Sequence, residues 1–380
     1  MVAPRLEPAP QSTEPQVDPR VNAWLEIDLR AVRDNLADIR SHLAPTTQVM
    51  AIVKADAYGH GAPYVSQTLL AAGANRLGVA TVLEAEQLRH AGITAPILIL
   101  GPLLATQLDA ALNVDAEVMI SSAQGARELA TAAGRRRLRA KAHVKIDTGM
   151  GRVGLQPEHA LALIQHWDKI GPVDLVGICT HFAAAEDQPD FTRTQLACFQ
   201  AVLQGLDVTA IRHAANSAGT LNYPDSHFDL VRPGIALYGA ARIPGAPERP
   251  VMRLRARLTH IKLAQVGSTL GYGRTYTVAR PSTVGILPLG YADGLPRALS
   301  NRQDVLVGGK RCPLVGMISM DQCLVDLTGV PAQPGDEVVL LGEQGDERIT
   351  VHDWADTCNT ISYEILCRLG SSRLARFFRS

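Results

Sequence analysis

Residues 51–61 read AIVKADAYGHG. The apolar run VMAIV, Val49 to Val53, has the length and β-branched content of a buried strand. It stops at Lys54, and glycines follow at 59 and 61. A lysine at a strand end either snorkels into solvent or is held partly desolvated, where its pKa falls and the free amine can attack a carbonyl. What the other strands carry at their ends decides between the two.

Similar runs recur downstream at Leu77 to Ala80, Ile97 to Leu100, Glu117 to Ile120, Ala142 to Ile146, Leu175 to Cys179 and Ala210 to His213. Between them lie segments such as VLEAEQLRHAG and PEHALALIQHW, with apolar residues three and four apart. That rhythm predicts parallel strands joined by helical crossovers. No GxGxxG follows the first strand, and about eight units over roughly 220 residues suit a closed (β/α)8 barrel, a TIM-type α/β fold, better than an open sheet. The barrel is expected over residues 23–245. From residue 246 to 380 the texture changes to short β-rich segments, RARLTHIKLA, STVGILPLG, QDVLVGG, RCPLVGMIS, QCLVDLT and DEVVLLG, with one clear late helix at HDWADTCN. A second, mainly β domain follows from this.

Bulk composition narrows the function. Lys plus Arg and Asp plus Glu are 37 each in 380 residues, so no net field favours nucleic acid or an anionic membrane. A small-molecule partner is the default. The six cysteines form no CxxC pair, which argues against zinc ribbons and a disulfide scaffold and for a reducing compartment. Residues 1–22 are expected to be a proline-rich disordered tail without the apolar segment of a signal peptide, and no run is apolar enough for a membrane span. These features predict a soluble cytoplasmic protein.

In a barrel of this kind, chemistry sits at the C-terminal ends of the strands. There the sequence places Lys54; Lys145, Asp147 and Arg152 in VKIDTGMGR; His181 in GICTHFAAAED; His213, Asn216 and Ser217 in RHAANSAGT; and Arg232 before Gly234 in LVRPGIALYG. Each alone has an ordinary structural account. Together they describe a charged pocket. No GxxxxGK[ST] loop is present, so a nucleoside triphosphate is not expected. Ser217 with the backbone of Gly234 and Ile235 supplies the parts of a single-phosphate cradle. A lysine, a cradle and a nearby arginine suggest pyridoxal 5'-phosphate held as a Schiff base. In the second half, Tyr272 lies between glycines in GYGRTYT, where it either packs in a β-turn or acts as an acid or base.

Taken in order, AIVKADAYGHG, IDTGMGRVG, THFAAAED, HAANSAG, RPGIALYG, GYGRTY, LPLGYADG and MDQC resemble the pattern of bacterial alanine racemases. The resemblance runs from residue 23 to ISYEILCRL near the end. It implies a fold-type III pyridoxal-phosphate isomerase that interconverts L- and D-alanine, supplies D-alanine for peptidoglycan, and forms a head-to-tail homodimer with shared sites. On that resemblance Lys54 binds the cofactor and is one base, and Tyr272 from the other subunit is the opposite base. Tyr58, Ser217, Gly234, Ile235 and Tyr363 hold the phosphate, and Gly59 and Gly61 bring backbone close to the cofactor. Arg232 faces the pyridine nitrogen, His181 lies between Arg232 and Tyr272, and Arg152 with the Met320 N–H holds the substrate carboxylate. Lys145 resembles a lysine carried as a carbamate, and Tyr291 and Tyr363 are expected to narrow the entrance. Two bases on opposite faces are what racemisation requires.

The nearest rival of this fold class, a basic amino-acid decarboxylase, calls for an acidic partner to the pyridine nitrogen, and Arg232 argues against it. A non-catalytic carrier would lack the second domain and Tyr272. A racemase of broader specificity, acting on serine or other amino acids, stays open on sequence.

Overall fold

The computed structural model describes residues 17–380. Residues 1–16 of the expected tail lie outside the described residues, and its last part is a short turn closed by an ion pair of Arg20 with Asp18 at 2.6 Å. Between residues 23 and 231 the chain forms β1 (Ala23–Asp28), β2 (Gln48–Ile52), β3 (Arg76–Val79), β4 (Ile97–Ile99), β5 (Glu117–Ile120), β6 (Ala140–Lys145), β7 (Val173–Cys179), β8 (Ile211–His213) and β9 (Leu230–Val231). Strands β2 to β8 pair in sequence order, and β9 returns to β2 through Gln48 opposite Leu230; every pairing is parallel. Backbone bonds from Asp229 N–H to the Arg212 carbonyl (3.1 Å) and from Arg232 N–H to the Ala215 carbonyl (2.9 Å) link β9 to β8. The eight strands therefore close into a barrel.

The crossovers are helical because the sequence caps them. Thr81 and Glu84 form a capping box at Val82–His90, Ser122 accepts from Gly125 N–H at Ala123–Arg135, and Pro157 opens Pro157–Gln165. Their apolar faces cover a barrel wall of Val, Ile, Leu and Ala that is almost wholly buried. Hydrophobic contact with that wall holds the strand ends, and hence the side chains they carry, in place.

The second half forms two main sheets. One, of seven strands, runs Lys310–Pro313, Asp304–Val307, Glu337–Gln344, Met252–Arg257, β1, Ala375–Arg379, with Glu347–Ile349 added beside Glu337–Gln344. The other contains His260–Ala264, Ser282–Leu287 and Cys323–Asp326.

Two expectations need correction. Strand β1 does not open the barrel; it lies antiparallel to Met252–Arg257 and parallel to Ala375–Arg379. The cause is charge. AWLEID carries Glu26 and Asp28, and its neighbours MRLRAR and ARFFR are basic. Glu26 pairs with Arg255 at 3.0 Å, and Asp28 with Arg379 at 2.5 Å and Arg253 at 3.7 Å. The other correction is a second late helix. After Val351–Cys358 the chain turns at Asn359 in the left-handed conformation and forms Ser362–Gly370, which carries Tyr363.

Arg255 also pairs with Glu337, and Glu26 is nearly buried. Removing one partner of a buried pair leaves an uncompensated charge. Arg255→Ala is therefore expected to lose roughly 3 kcal/mol in urea unfolding. Arg193→Ala, at an exposed pair with Asp190, should leave the urea midpoint unchanged.

Candidate active site

The C-terminal ends of the barrel strands surround a cavity of about 400 Å³. Lys54 reaches it from the end of β2 by an uncommon route. Ala55, Asp56 and Ala57 have φ of 52° to 55° and ψ of 48° to 50°, and Tyr58 has φ 54°, so four non-glycine residues in succession are left-handed. That conformation costs L-residues roughly 1–2 kcal/mol each. Polar contacts offset it. The Glu84 carboxylate accepts from Ala55 N–H and Ala80 N–H, both at 2.6 Å, while Asp56 accepts from Ala62 N–H at 2.7 Å and pairs with Arg376 at 2.8 Å. The turn is short enough to return Tyr58 to the same cavity as Lys54.

Gly59 and Gly61 face away from that cavity, correcting the expectation that they admit the cofactor. A Cβ on Gly59 would stand 2.5 Å from the Leu366 carbonyl and 2.8 Å from Gly370 Cα, and one on Gly61 would meet the Phe378 ring at 2.8 Å. The glycines instead let the turn touch the helix Ser362–Gly370. That contact seats Tyr363 beside Tyr58, with ring centroids 6.0 Å apart.

Arg152 is delivered by the loop after β6. Asp147 accepts from the backbone N–H of Gly149 and Gly151, each at 3.0 Å, which folds TGMG into a tight anionic turn. Burial raises the Asp147 pKa, but these N–H groups and Lys145 more than reverse it. Lys145, at the end of β6, is buried, and burial with the charges of Arg232 and Arg152 pulls its pKa down against the opposing influence of Cys179 and Asp147. Lys54 is lowered in the same way, first by burial and then by Arg152.

Arg232 follows β9 and is buried. Its guanidinium donates to the carbonyls of Thr180 (2.8 Å) and Ala214 (2.9 Å), contacts His181 Nδ1 at 3.3 Å and His213 Nδ1 at 2.8 Å. Burial and that guanidinium hold His181 well below the ordinary histidine range. In the same lining, Ser217 Oγ accepts from Gly234 N–H (2.9 Å) and Ala236 N–H (3.3 Å), and Ile235 lies beside them. A Cβ on Gly234 would lie 2.5 Å from the Tyr58 hydroxyl. Tyr363 donates to Glu186 at 3.4 Å, and burial, then Glu186, raises its pKa.

Eleven of the residues singled out from sequence thus line one cavity: Lys54, Tyr58, Lys145, Arg152, His181, Asn216, Ser217, Arg232, Gly234, Ile235 and Tyr363; Asp147 and His213 are not part of its lining. Tyr272 and Met320 do not line it either; they are 74% and 53% exposed. Their loops meet each other instead. Gly271 packs on the backbone of Met317, and Tyr291 N–H and Ala292 N–H donate to the carbonyls of Ser319 and Met320, each at 3.0 Å. Tyr291, itself 39% exposed, shares that face. Sequence reading missed Glu84 and Glu186, ordinary surface carboxylates by pattern, because nothing local marks a side chain that reaches across a barrel rim.

Two family models match in tandem: alanine racemase, N-terminal domain, over residues 27–242, and alanine racemase, C-terminal domain, over residues 251–378. An alanine racemase of Symbiobacterium thermophilum is 43% identical over 93% of this chain and 96% of its own length. The chain belongs to the alanine racemase family, a family of isomerases. Among solved structures, alanine racemase of Clostridium difficile 630 superposes with a TM-score of 0.91 at 34% identity, covering 96% of this chain and 97% of that one. The alanine racemase of Bartonella henselae with covalently bound pyridoxal phosphate gives 0.85 at 32% identity over 94% of this chain and 99% of that one.

Gly370→Ala would place a Cβ 2.0 Å from Gly59 Cα. Backbone cannot yield as a side chain does, so the variant should lose about 3 kcal/mol in urea unfolding. Acid should also weaken the fold. Burial holds His60 at about 4 and His143, His181 and His213 below the usual value. These imidazoles are neutral when folded, whereas the unfolded chain protonates near 6.5, so stability is lost as pH falls from 6.5 toward 4. Urea midpoints at pH 7.5 and 5.0 check this, and His60→Phe should show a shallower fall.

Proposed function

We propose that the chain is an alanine racemase that uses pyridoxal 5'-phosphate in the barrel cavity. The observation that carries this reading is the set of polar groups converging there. Among the described residues, Lys54 Nζ, Tyr58 Oη, Lys145 Nζ and the Arg152 guanidinium have no hydrogen-bond partner, and Arg232 adds a further cation to a wall whose one carboxylate is Glu186. A cavity so charged suits a ligand with a phosphate at one end and a carboxylate at the other. The relative from Bartonella henselae supports the cofactor's identity.

Tyr58, Ser217, Tyr363 and the backbone of Gly234 and Ile235 would hold the phosphate, Lys54 the aldehyde carbon, and Arg232 the ring nitrogen. Bound there, the cofactor supplies the conjugated system that accepts the electron pair left when an α-proton departs. The protein moves the proton. Burial and Arg152 favour the neutral amine of Lys54, which makes Nζ a competent base. Arg232 stays charged at the ring, because a guanidinium does not give up its proton. Arg152 orients the substrate carboxylate. Lys145 as a carbamate, formed when its neutral amine adds carbon dioxide and loses a proton, would turn a repelling neighbour of Arg152 into an anion that steadies it.

The opposite base is Tyr272 of the partner subunit, with the backbone N–H of the partner's Met320 on the carboxylate. Support comes from the exposed face that gathers Tyr272, Tyr291 and Met320 outside the barrel cavity. A homodimer with shared sites completes the machine. Free cysteines fit a cytoplasmic enzyme, and D-alanine for peptidoglycan fits its product.

Purified protein incubated with single enantiomers should lose optical activity with alanine. Lys54→Ala and Tyr272→Phe homodimers should each fall by at least about 10²-fold in rate. Unfolded and refolded together in equal amounts, the two variants should recover about a quarter of native activity, since half the dimers are hybrids with one intact site. No recovery would place both bases in one chain.

A further inference from the structure

Behind Arg232 a chain of polar groups crosses the barrel interior to its far end. His213 Nε2 lies 2.9 Å from His143 Nδ1, His143 Nε2 lies 3.0 Å from Glu117 Oε2, and Arg76 Nη1 donates to Glu117 Oε1 at 2.6 Å. The residues come from β8, β6, β5 and β3. His143 and His213 have no solvent exposure, and Glu117 is 4% exposed. None of Arg76, Glu117 and His143 reaches the cavity.

The geometry allows only one proton arrangement. A guanidinium can only donate, so His213 Nδ1 must accept from Arg232 and carry its own proton on Nε2. That Nε2–H donates to His143 Nδ1, which is then an acceptor too, and His143 Nε2–H donates to the Glu117 carboxylate. Arg76 closes the series from the other side. Each donor points from Arg232 toward Glu117, and protonating either imidazole would set two donors face to face. The barrel makes room for this series. Gly177 on β7 lies beside His143, a Cβ there would stand 2.2 Å from His143 Nδ1, and the pairing of β6 with β7 shifts register at Ala142 and His143.

We infer that Glu117, clamped by Arg76, sets the tautomers of His143 and His213 and so fixes the guanidinium of Arg232 in the cavity. Glu117 is a positioning residue that acts on Arg232 through two intervening imidazoles. The role assigned to Arg232 rests on the function proposed above; the tautomer assignment does not.

The test is ¹⁵N NMR of the histidine side chains at pH 7.5, with resonances assigned by single replacement of His143 and His213. Both imidazoles should be neutral and protonated at Nε2 in the unsubstituted protein. Either one protonated at Nδ1, or at both nitrogens, overturns the proposal without need of a variant. In Glu117→Gln the amide oxygen is drawn to Arg76, its NH₂ faces His143, and both imidazoles should switch to Nδ1–H, turning a donor on Arg232. With cofactor content unchanged, kcat for alanine should then drop about 10- to 100-fold while KM changes little. Unswitched tautomers in Glu117→Gln, or a switch with kcat unaltered, would also overturn it. A wild-type protein with the expected tautomers but no racemisation would sink the functional reading and leave the relay standing.

Discussion

Mutual repulsion among Lys54, Lys145, Arg152 and Arg232 is the constraint that shapes this molecule. Four cationic side chains share the lining of one cavity of about 400 Å³. At an effective dielectric near 20, two unit charges 4 Å apart interact by about 4 kcal/mol, so such a wall does not assemble unaided. The structure answers with burial and with second-rank carboxylates. Burial lowers Lys54 and Lys145 toward neutrality, and Asp147, Glu84 and Glu186 stand at the rim as counter-charges. What repulsion remains is the driving force for binding an anion.

The route by which Lys54 enters that cavity explains why the barrel cannot be separated from the second half of the chain. The left-handed turn at residues 55–58 is locally unfavourable, and part of what holds it lies more than 300 residues away, in Arg376 and in the Gly59–Gly370 contact. The last strand, Ala375–Arg379, in turn lies against β1 at the start of the chain. Strain beside Lys54 is thereby supported by the seven-stranded sheet. A barrel cut free of that sheet would lose the ion pair and the glycine contact together.

The sequence made seven of the eight barrel strands legible because each is a short apolar run with a polar residue at its end, and their bounds fall within two residues of those read from pattern; β9, two residues long, was not read as a strand. Nine cavity residues, Asn216 among them, were legible for the same reason: strand ends in a barrel converge by topology. Tyr58 and Tyr363 were legible only through the family resemblance, and Tyr363 lies on the late helix. Strand β1 was not legible, because AWLEID looks like any first strand until its acidic residues are matched with arginines more than 200 positions on. Ser362–Gly370 was missed because SYEILC carries aromatic and β-branched residues that fit a strand as well as a helix. The left-handed turn left no clear mark, since Ala and Tyr rarely adopt positive φ and a single Asp among them does not announce four such residues in succession.

Glu117 and His143 show the deeper limit. Read along the chain, each is one polar residue in an apolar strand, and such residues are commonly satisfied by backbone. Their meaning lies in the sideways contacts of β3, β5, β6 and β8, which no linear pattern records. A polar side chain facing inward from a barrel strand has no water to turn to, so it must find another inward-facing polar group on a neighbouring strand. Inward polar residues in closed barrels therefore come in connected sets, and the set here ends on the one guanidinium that faces the cavity from the interior. An isolated Glu in a strand such as EVMI is thus a reason to search the other strands for its partners.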